Sequence, residues 1–423
     1  MGLFLLEMTL SMPTTLDDLL RRLMKNNLFR DREKLRPDYV PETLPHREVH
    51  ITQLAQILLP SIVRGARPSN VFIYGYTGTG KTAVTRYVLN WIDSRLNESP
   101  ESPYRVKTVM INCTNNDTNY RVLRALNEAL GIKIPFTGLP VAELYERFKK
   151  TLDSRMTIMI VALDEVDSLV KKSGDELLYK LTRINSELQN SKLSLIGITN
   201  DLNFRDYLNA RVRSSLGEEE LVFPPYNADE LRDILEHRAK LAFYPGVIED
   251  GVIPLCAHMA AREHGDARRA LDLLRVAGEI AEREGASKIT IEHVRRASLE
   301  IERDKAVELI RTLPFHSKLV LAAVYLLRDK VGGATTGEIY DIYIRLVKAL
   351  GFEPITQRRV SDIISELDVV GLIQAKLQSR GRYGRTKYVK IRVSERALTE
   401  GLKSDELIGG YIFEGGTPGL RRR

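Results

Sequence analysis

The sequence predicts an α/β protein: a parallel sheet with helices on both faces, then a helical segment, then a smaller mixed segment. Three observations carry this. From about Arg47 to Asn200, short apolar runs alternate with amphipathic stretches, and such alternation implies parallel strands joined by crossover helices. After Leu221-Val-Phe-Pro-Pro the pattern turns nearly all helical to about Leu313, and from about Pro314 to Leu402 helical and alternating runs mix. The hydrophobic share of 43% and charged share of 28% suit a packed core and exclude global disorder.

The elements follow in order. Residues 1–27 form a leader with a short helical pattern, TTLDDLLRRLM, and Met8 and Met12 are alternative starts. Phe29–Val49 is rich in proline and charge and reads as an irregular strap. A helix follows from about Arg47 to Ile62, then the strand SNVFIYG and the helix KTAVTRYVLNWIDSRL. VKTVMINC is a strand, and NYRVLRALNEALG and VAELYERFKKTLDS are helices. TIMIVALDE is a strand, ELLYKLTRINSEL a helix and LSLIGITN a strand. The organisation is a leader (1–27), a nucleotide-binding α/β domain (28–221), a helical lid (222–312), a third domain (313–405) and a flexible tail (406–423).

Cys113 and Cys256 stand far apart and build neither a disulfide framework nor a zinc site. The apolar start lacks a basic region and is interrupted by Glu7, and no stretch reaches the length of a membrane span. A cytoplasmic protein without membrane partners is expected. The net charge of +7 favours polyanionic partners.

The strongest motif is GYTGTGKT, Gly75–Thr82, which fits the phosphate-binding P-loop between a strand and a helix. Gly75, Gly78 and Gly80 let the backbone wrap an anion, with Tyr76, Thr77, Thr79 and Ala83 completing the cradle. Lys81 is placed to reach the β- and γ-phosphates of ATP, and Thr82 to ligate Mg²⁺. In IMIVALDEVD an apolar strand ends in two carboxylates. Asp164 would join the Mg²⁺ shell, and Glu165 would deprotonate the attacking water. Asn200 ends another apolar strand and suits a contact to the γ-phosphate or the water.

In the third domain HSKLVLAAVYLLRDK, TTGEIYDIYIRLVKALG and ITQRRVSDIISELDVVGLI read as three helices. IQAKLQSRGRYGRTKYVKIRV reads as two strands around a glycine-rich tip. This order is that of a winged helix. Thr356, Gln357, Arg358 and Arg359 begin its third helix, where recognition helices reach base edges. The hairpin carries Lys376, Arg380, Arg382, Arg385, Lys387, Lys390 and Arg392, without an acidic residue from Lys376 to Val393. Gly381 and Gly384 bend the tip, and Tyr383 offers a wedge or stacking face. Such a charge run also protects an edge strand; after a candidate recognition helix it points to duplex DNA.

The order of P-loop, LDEVD, strand-final Asn200, YLNARVRSSLG and HGDARRALDLLRVAGEIAE resembles the AAA+ initiator clade, above all archaeal initiators of the origin-recognition and cell-division-control type. The likeness runs from about Phe29 to Leu402. It implies an AAA+ P-loop parallel-sheet domain with a helical lid, followed by a C-terminal winged-helix domain. It implies that Arg268, with Arg269 as rival, reaches the γ-phosphate from the lid. Arg211, with Arg213 as alternative, would serve as a finger acting on a neighbouring subunit's ATP, a contribution of about 10³–10⁵ in rate. Val40, Pro41 and Arg47 would lie near the adenine. A helical insertion within about Asn115–Leu139, with Arg121, Arg124 and Lys133, would add a DNA contact. The implied function is a replication initiator with ATP/ADP and Mg²⁺ as cofactors. It would bind origin duplex DNA, act beside paralogous initiator subunits, promote loading of the replicative helicase, and hydrolyse ATP slowly because its finger comes from a partner. The alternative is an ATP-gated transcriptional regulator on the same scaffold.

Overall fold

The computed structural model describes residues 27–37, 39–96, 105–135, 138–216, 218–379 and 385–413. The chain divides into two compact units between Val294 and Arg295. Of the expected leader, all but Asn27 lies outside the described residues.

The first unit is built on five strands: β1 (Val71–Gly75), β2 (Arg105–Asn112), β3 (Thr157–Asp164), β4 (Lys192–Thr199) and β5 (Glu219–Phe223). They pair in the order β2-β3-β4-β1-β5, all parallel. Strand alternation sorts the side chains to two faces. Val71, Ile73, Ile158, Ile160 and Ala162 pack with Leu54, Leu58, Val84 and Val88 from helices α1 (Glu48–Val63) and α2 (Lys81–Leu96). Phe72, Tyr74, Met159, Val161 and Leu163 pack on the other face with helices α3 (Asn119–Ala129), α4 (Val141–Ser154), α5 (Val166–Ser173) and α6 (Glu176–Arg183). Both faces are covered, which is why β3 and β4 read as unbroken apolar runs.

The lid part of this unit carries α8 (Ala228–Ala242), α9 (Val252–Arg262) and α10 (Ala267–Glu284), after a short α7 (Ala210–Leu216). Asn227 and Glu230 close a capping box at the start of α8. Helix α11 (Ile291–Thr312) crosses the boundary between the units. In the strap, Phe29 makes an isolated bridge with Phe243, and their rings pack at a tilt with centroids 4.6 Å apart.

The second unit contains α12 (Phe315–Leu326), α13 (Thr336–Ala349) and α14 (Gln357–Val369), with strands β6 (Ala334–Thr335), β7 (Ile373–Ser379) and β8 (Arg385–Ile391) in the antiparallel order β6-β8-β7. Two helices, α15 (Glu395–Lys403) and α16 (Glu406–Phe413), close it.

Helices α7 and α15 were not read from the sequence, and four further elements differ from that reading. β5 was not anticipated, because it is an edge strand whose register on β1 buries only Leu221 and Phe223. α5 follows the two carboxylates directly, and β6 is only two residues long. The expected flexible tail begins too early: Glu406–Phe413 is helical, with Ile408 and Ile412 in the core. Its glycines misled the reading, yet a Cβ on Gly409 would lie 3.0 Å from the Lys403 backbone, so close helix approach explains the residue. Among the described residues no helix is long and apolar enough to cross a membrane.

Candidate functional site

The carboxyl ends of the parallel strands open into a cavity of about 500 Å³, a common size for a small-ligand site. Its floor is the P-loop. Gly78 and Gly80 hold φ of 74° and 91°, which favour glycine. Substitution is blocked twice over, since a Cβ on Gly78 would strike the Asp266 carboxyl and one on Gly80 would lie 2.8 Å from Tyr226 Oη. Gly78, Thr79, Gly80, Lys81, Thr82 and Ala83 line the cavity. Gly75, Tyr76 and Thr77 do not. Gly75 and Tyr76 act from behind the loop, where their carbonyls accept hydrogen bonds from Lys81 Nζ at 2.8 and 2.7 Å. Tyr76 faces outward and stacks on His264.

Lys81 is only 4% exposed, and burial pulls its pKa down to about 8, against the attraction of Asp164. Thr82 Oγ1 donates to Asp164 Oδ2 at 3.0 Å. Burial raises the Asp164 pKa and the Thr82 bond opposes it. A buried carboxylate joined to a hydroxyl is a hard-oxygen pair that fits Mg²⁺. Glu165 follows with φ of 55°, a left-handed conformation at the start of α5. Its Oε2 accepts from Thr114 Oγ1 and from Asn112 Nδ2 at 3.4 Å. Asn200 lines the same cavity one residue beyond β4.

From the lid, Asp266 caps α10, with Oδ1 accepting from Arg268 N at 2.8 Å. This turn settles the geometry of the arginine pair. Arg268 lines the cavity and acts electrostatically on Lys81 and Asp164. Arg269 is buried and ion-paired to Glu263 at 2.9 Å. Arg211 and Arg213 are both exposed on α7, and neither lines this cavity.

Val40, Pro41 and Arg47 also line it, alongside Tyr39, Leu44, Ile234 and Leu271. Arg47 is not poised to read a base. It is 2% exposed, and its guanidinium donates to Thr79 O (2.8 Å), His46 O (2.9 Å) and Pro224 O (2.8 Å). Burial lowers its pKa.

Sequence reasoning missed Asn112, Thr114, Tyr226 and Arg238. Asn112 had a signal: it ends an apolar strand, and register places it beside Asp164. Arg238 had none. It sits inside α8, buried over the Tyr39 ring, and donates to the carbonyls of Arg36 and Tyr39.

In the second unit Thr356 caps α14, and Gln357, Arg358 and Arg359 are exposed in its first turn. Arg359 is paired with Glu366 at 2.9 Å. Two tyrosines of α13 hold the preceding residue: Tyr340 Oη donates to Ile355 O at 3.3 Å, and Ile355 N donates to Tyr343 Oη at 3.1 Å. Tyr343 Oη also meets His316 Nδ1 at 2.8 Å. Lys387 points back to α14, donating to Ser361 O at 3.1 Å and to Ser365 Oγ. It ties β8 to the helix instead of presenting a free charge. Arg380, Arg382, Tyr383 and Gly384 lie outside the described residues, and Arg385 opens β8.

Helix α3, placed in the expected insertion, buries Val122, Leu123 and Leu126 against the sheet. Arg121 pairs with Asp117 at 2.9 Å and Arg124 with Glu128 at 2.7 Å. In the first unit α3 is thus a sheet-covering helix with ion-paired cations.

Comparison with known proteins agrees with this architecture. Residues 64–205 match the model of an AAA domain, 232–299 that of a Cdc6 AAA+ ATPase-type lid domain, and 308–401 that of a CDC6 C-terminal winged helix domain. The chain is 56% identical over 399 residues to ORC1-type DNA replication protein 1 of Sulfolobus acidocaldarius, covering 94% of this chain and 99% of that protein. The chain belongs to the archaeal Orc1/Cdc6 family of replication initiators. The ORC1-type DNA replication protein of Pyrococcus abyssi is 52% identical over 414 residues, covering 96% of this chain and 98% of its own length. Among solved structures, Aeropyrum pernix ORC1 in complex with DNA is similar, with a TM-score of 0.80, 52% identity, and coverage of 90% of this chain and 98% of that one. As an Orc1/Cdc6 family member the chain is an AAA+ ATPase with a winged-helix domain.

Proposed function

We propose that this chain is an ATP-dependent initiator that engages origin duplex DNA through its winged helix and promotes loading of the replicative helicase. The observation that carries the reading is the convergence on one cavity of Lys81, Thr82, Asp164, Glu165, Asn200 and Arg268, drawn from four separate segments. The relative solved with DNA supports a duplex partner, and the relatives' names support a replication role. Exposed Gln357 and Arg358 are the first candidates for base and backbone contact, Arg359 joins them once it leaves Glu366, and the hairpin cations add phosphate neutralisation. Arg121 and Arg124 are the weaker candidates, since each must first leave a carboxylate.

Thr82 and Asp164 would hold Mg²⁺, which when bound neutralises charge on the phosphate oxygens. Glu165 takes the proton of the attacking water, with Asn112 and Thr114 holding its carboxylate in place. Asn200 orients the water, and Lys81 and Arg268 stabilise the phosphoryl oxygens. The exposed Arg211 or Arg213 acts on a neighbouring subunit, another copy or a paralogue, so the isolated chain turns over slowly. Such an initiator works in the cytoplasm.

The test is genome-wide footprinting of the intact protein together with hydrolysis assays. Protected sites concentrated at replication start regions support the initiator. Sites scattered over promoters would instead support an ATP-gated regulator.

A further inference from the structure

The P-loop is gripped by a closed ring of contacts that the phosphate chemistry does not require. Ala267 N donates to Gly78 O at 3.2 Å, and the Asp266 carboxyl fills the space beside Gly78. One residue back, Gly265 O accepts from Tyr226 N at 3.3 Å. The Tyr226 ring lies 3.7 Å from the Arg47 guanidinium carbon, and its hydroxyl stands over Gly80. Arg47 completes the ring by donating to Thr79 O and, on the far side, to Pro224 O in the connection between β5 and the lid. Of three consecutive loop residues, Gly78 and Gly80 are therefore held by the first turn of the lid and by the hinge, and Thr79 by Arg47, which also reaches the hinge.

The chemistry of Arg47 is particular. A planar fork can donate in three directions while its face stacks on an aromatic ring, which a lysine ammonium cannot do. Among the described residues no ion pair joins it to a carboxylate, and all three hydrogen bonds end on carbonyls. Its charge is met by carbonyls of the loop, the hinge and His46, with Glu230 and Glu48 adding electrostatic attraction, and opening the lid would strip it of Pro224 O and of Tyr226.

We propose that Arg47 and Tyr226 form a latch that couples the lid hinge to the P-loop and so sets the rate at which nucleotide leaves the cavity. The proposal rests on reading that cavity as the nucleotide site. Arg47 and Tyr226 are positioning residues: they hold the loop and the hinge and transfer no proton.

The test uses the full chain, Mg²⁺ and fluorescent ADP and ATP, with association and dissociation measured separately by stopped flow. Arg47→Lys keeps the charge and loses the fork. Tyr226→Leu removes the ring and leaves the three Arg47 hydrogen bonds available. Both should speed dissociation by about tenfold or more while association changes by no more than about twofold. Tyr226→Phe, which keeps the ring, should recover slow release relative to Tyr226→Leu. A purely structural role would instead lower the melting temperature of the nucleotide-free protein and leave the release rate of the folded fraction untouched. Should Arg47→Lys fail to fold, Tyr226→Leu decides the matter alone. Normal binding with unaltered release in the folded variants overturns the latch. Failure of the unmodified protein to bind either nucleotide overturns the reading of the cavity, and the latch with it.

Discussion

At the nucleotide cavity two of the charged groups, Lys81 and Asp164, are themselves buried, whereas on α14 only the supports are. Lys81 and Asp164 lie under the loop with pKa values moved by desolvation. Gln357, Arg358 and Arg359 stand in solvent, while Tyr343 beneath them is fully buried and holds Ile355. The difference follows from the partners each region suits. A small polyanion enclosed in a cavity rewards desolvated, pre-aimed donors. A duplex is too large to enclose, so its contacts are solvated cations whose contribution depends on salt. Substitutions should therefore act through lost chemistry in the first region, and through lost positioning or counterion release in the second.

That contrast breaks most readily at Lys81. Lys81→Ala should weaken nucleotide binding by about 100-fold or more, as the loss of a charge-assisted contact in a desolvated site implies. Titration with fluorescent nucleotide checks it, and near-normal affinity would mean that the loop backbone alone suffices. Glu165→Gln should keep binding and slow hydrolysis by roughly 10²–10⁴-fold in single-turnover phosphate release. Unchanged turnover would remove Glu165 as the base.

The second region is sharpened by setting a support against an exposed group. Tyr343→Phe leaves Ile355 N–H and His316 without their hydroxyl, at a cost of about 1–3 kcal/mol by calorimetry. Gln357→Ala, in solvent, should stay within about 0.5 kcal/mol. Equal effects from the two would erase the proposed division between support and contact. Arg358→Ala should leave stability alone but reduce the salt dependence of DNA binding by a slope of about 0.9 if it meets one phosphate. An unchanged slope would take Arg358 off the backbone.

The smallest effect concerns acid. Burial pushes the Glu338 carboxyl up, but hydrogen bonds from Lys330 and from Thr335 outweigh it and hold the pKa at about 2, below the usual 4.5. A depressed carboxylate stabilises the fold above its unfolded pKa, and that contribution fades as pH falls from about 4.5 towards about 2. Glu338→Gln should flatten stability against pH within that window and nowhere else. A pH profile identical to the unmodified protein's would contradict the bonds that Thr335 and Lys330 make to Glu338.

The P-loop, the Asp164–Glu165 pair and strand-final Asn200 were legible because their chemistry is local: glycines, a lysine and strand-end carboxylates occur at short fixed spacings. The choice between Arg268 and Arg269 was not. Both stand in the same helical turn, and only the packing of α10 sends one to the cavity and the other to Glu263. Lys387 looked like one more hairpin cation until the strand register set it over Ser361 and Ser365. Tyr226 and Arg238 carried no motif, since their roles come from long-range contacts.

By itself, then, the sequence determined most of the alternation of strands and helices, the glycine-rich loop, the paired carboxylates and the run of cations after α14. Each of these is written in residues near one another along the chain. Tertiary structure alone decided which arginine faces the cavity, that β5 closes the sheet edge, that Glu406–Phe413 folds back into a core, and that Arg47 lies beneath the loop. Those outcomes depend on which surfaces are buried together, and burial brings together residues as far apart in the chain as Thr79, Pro224 and Arg47.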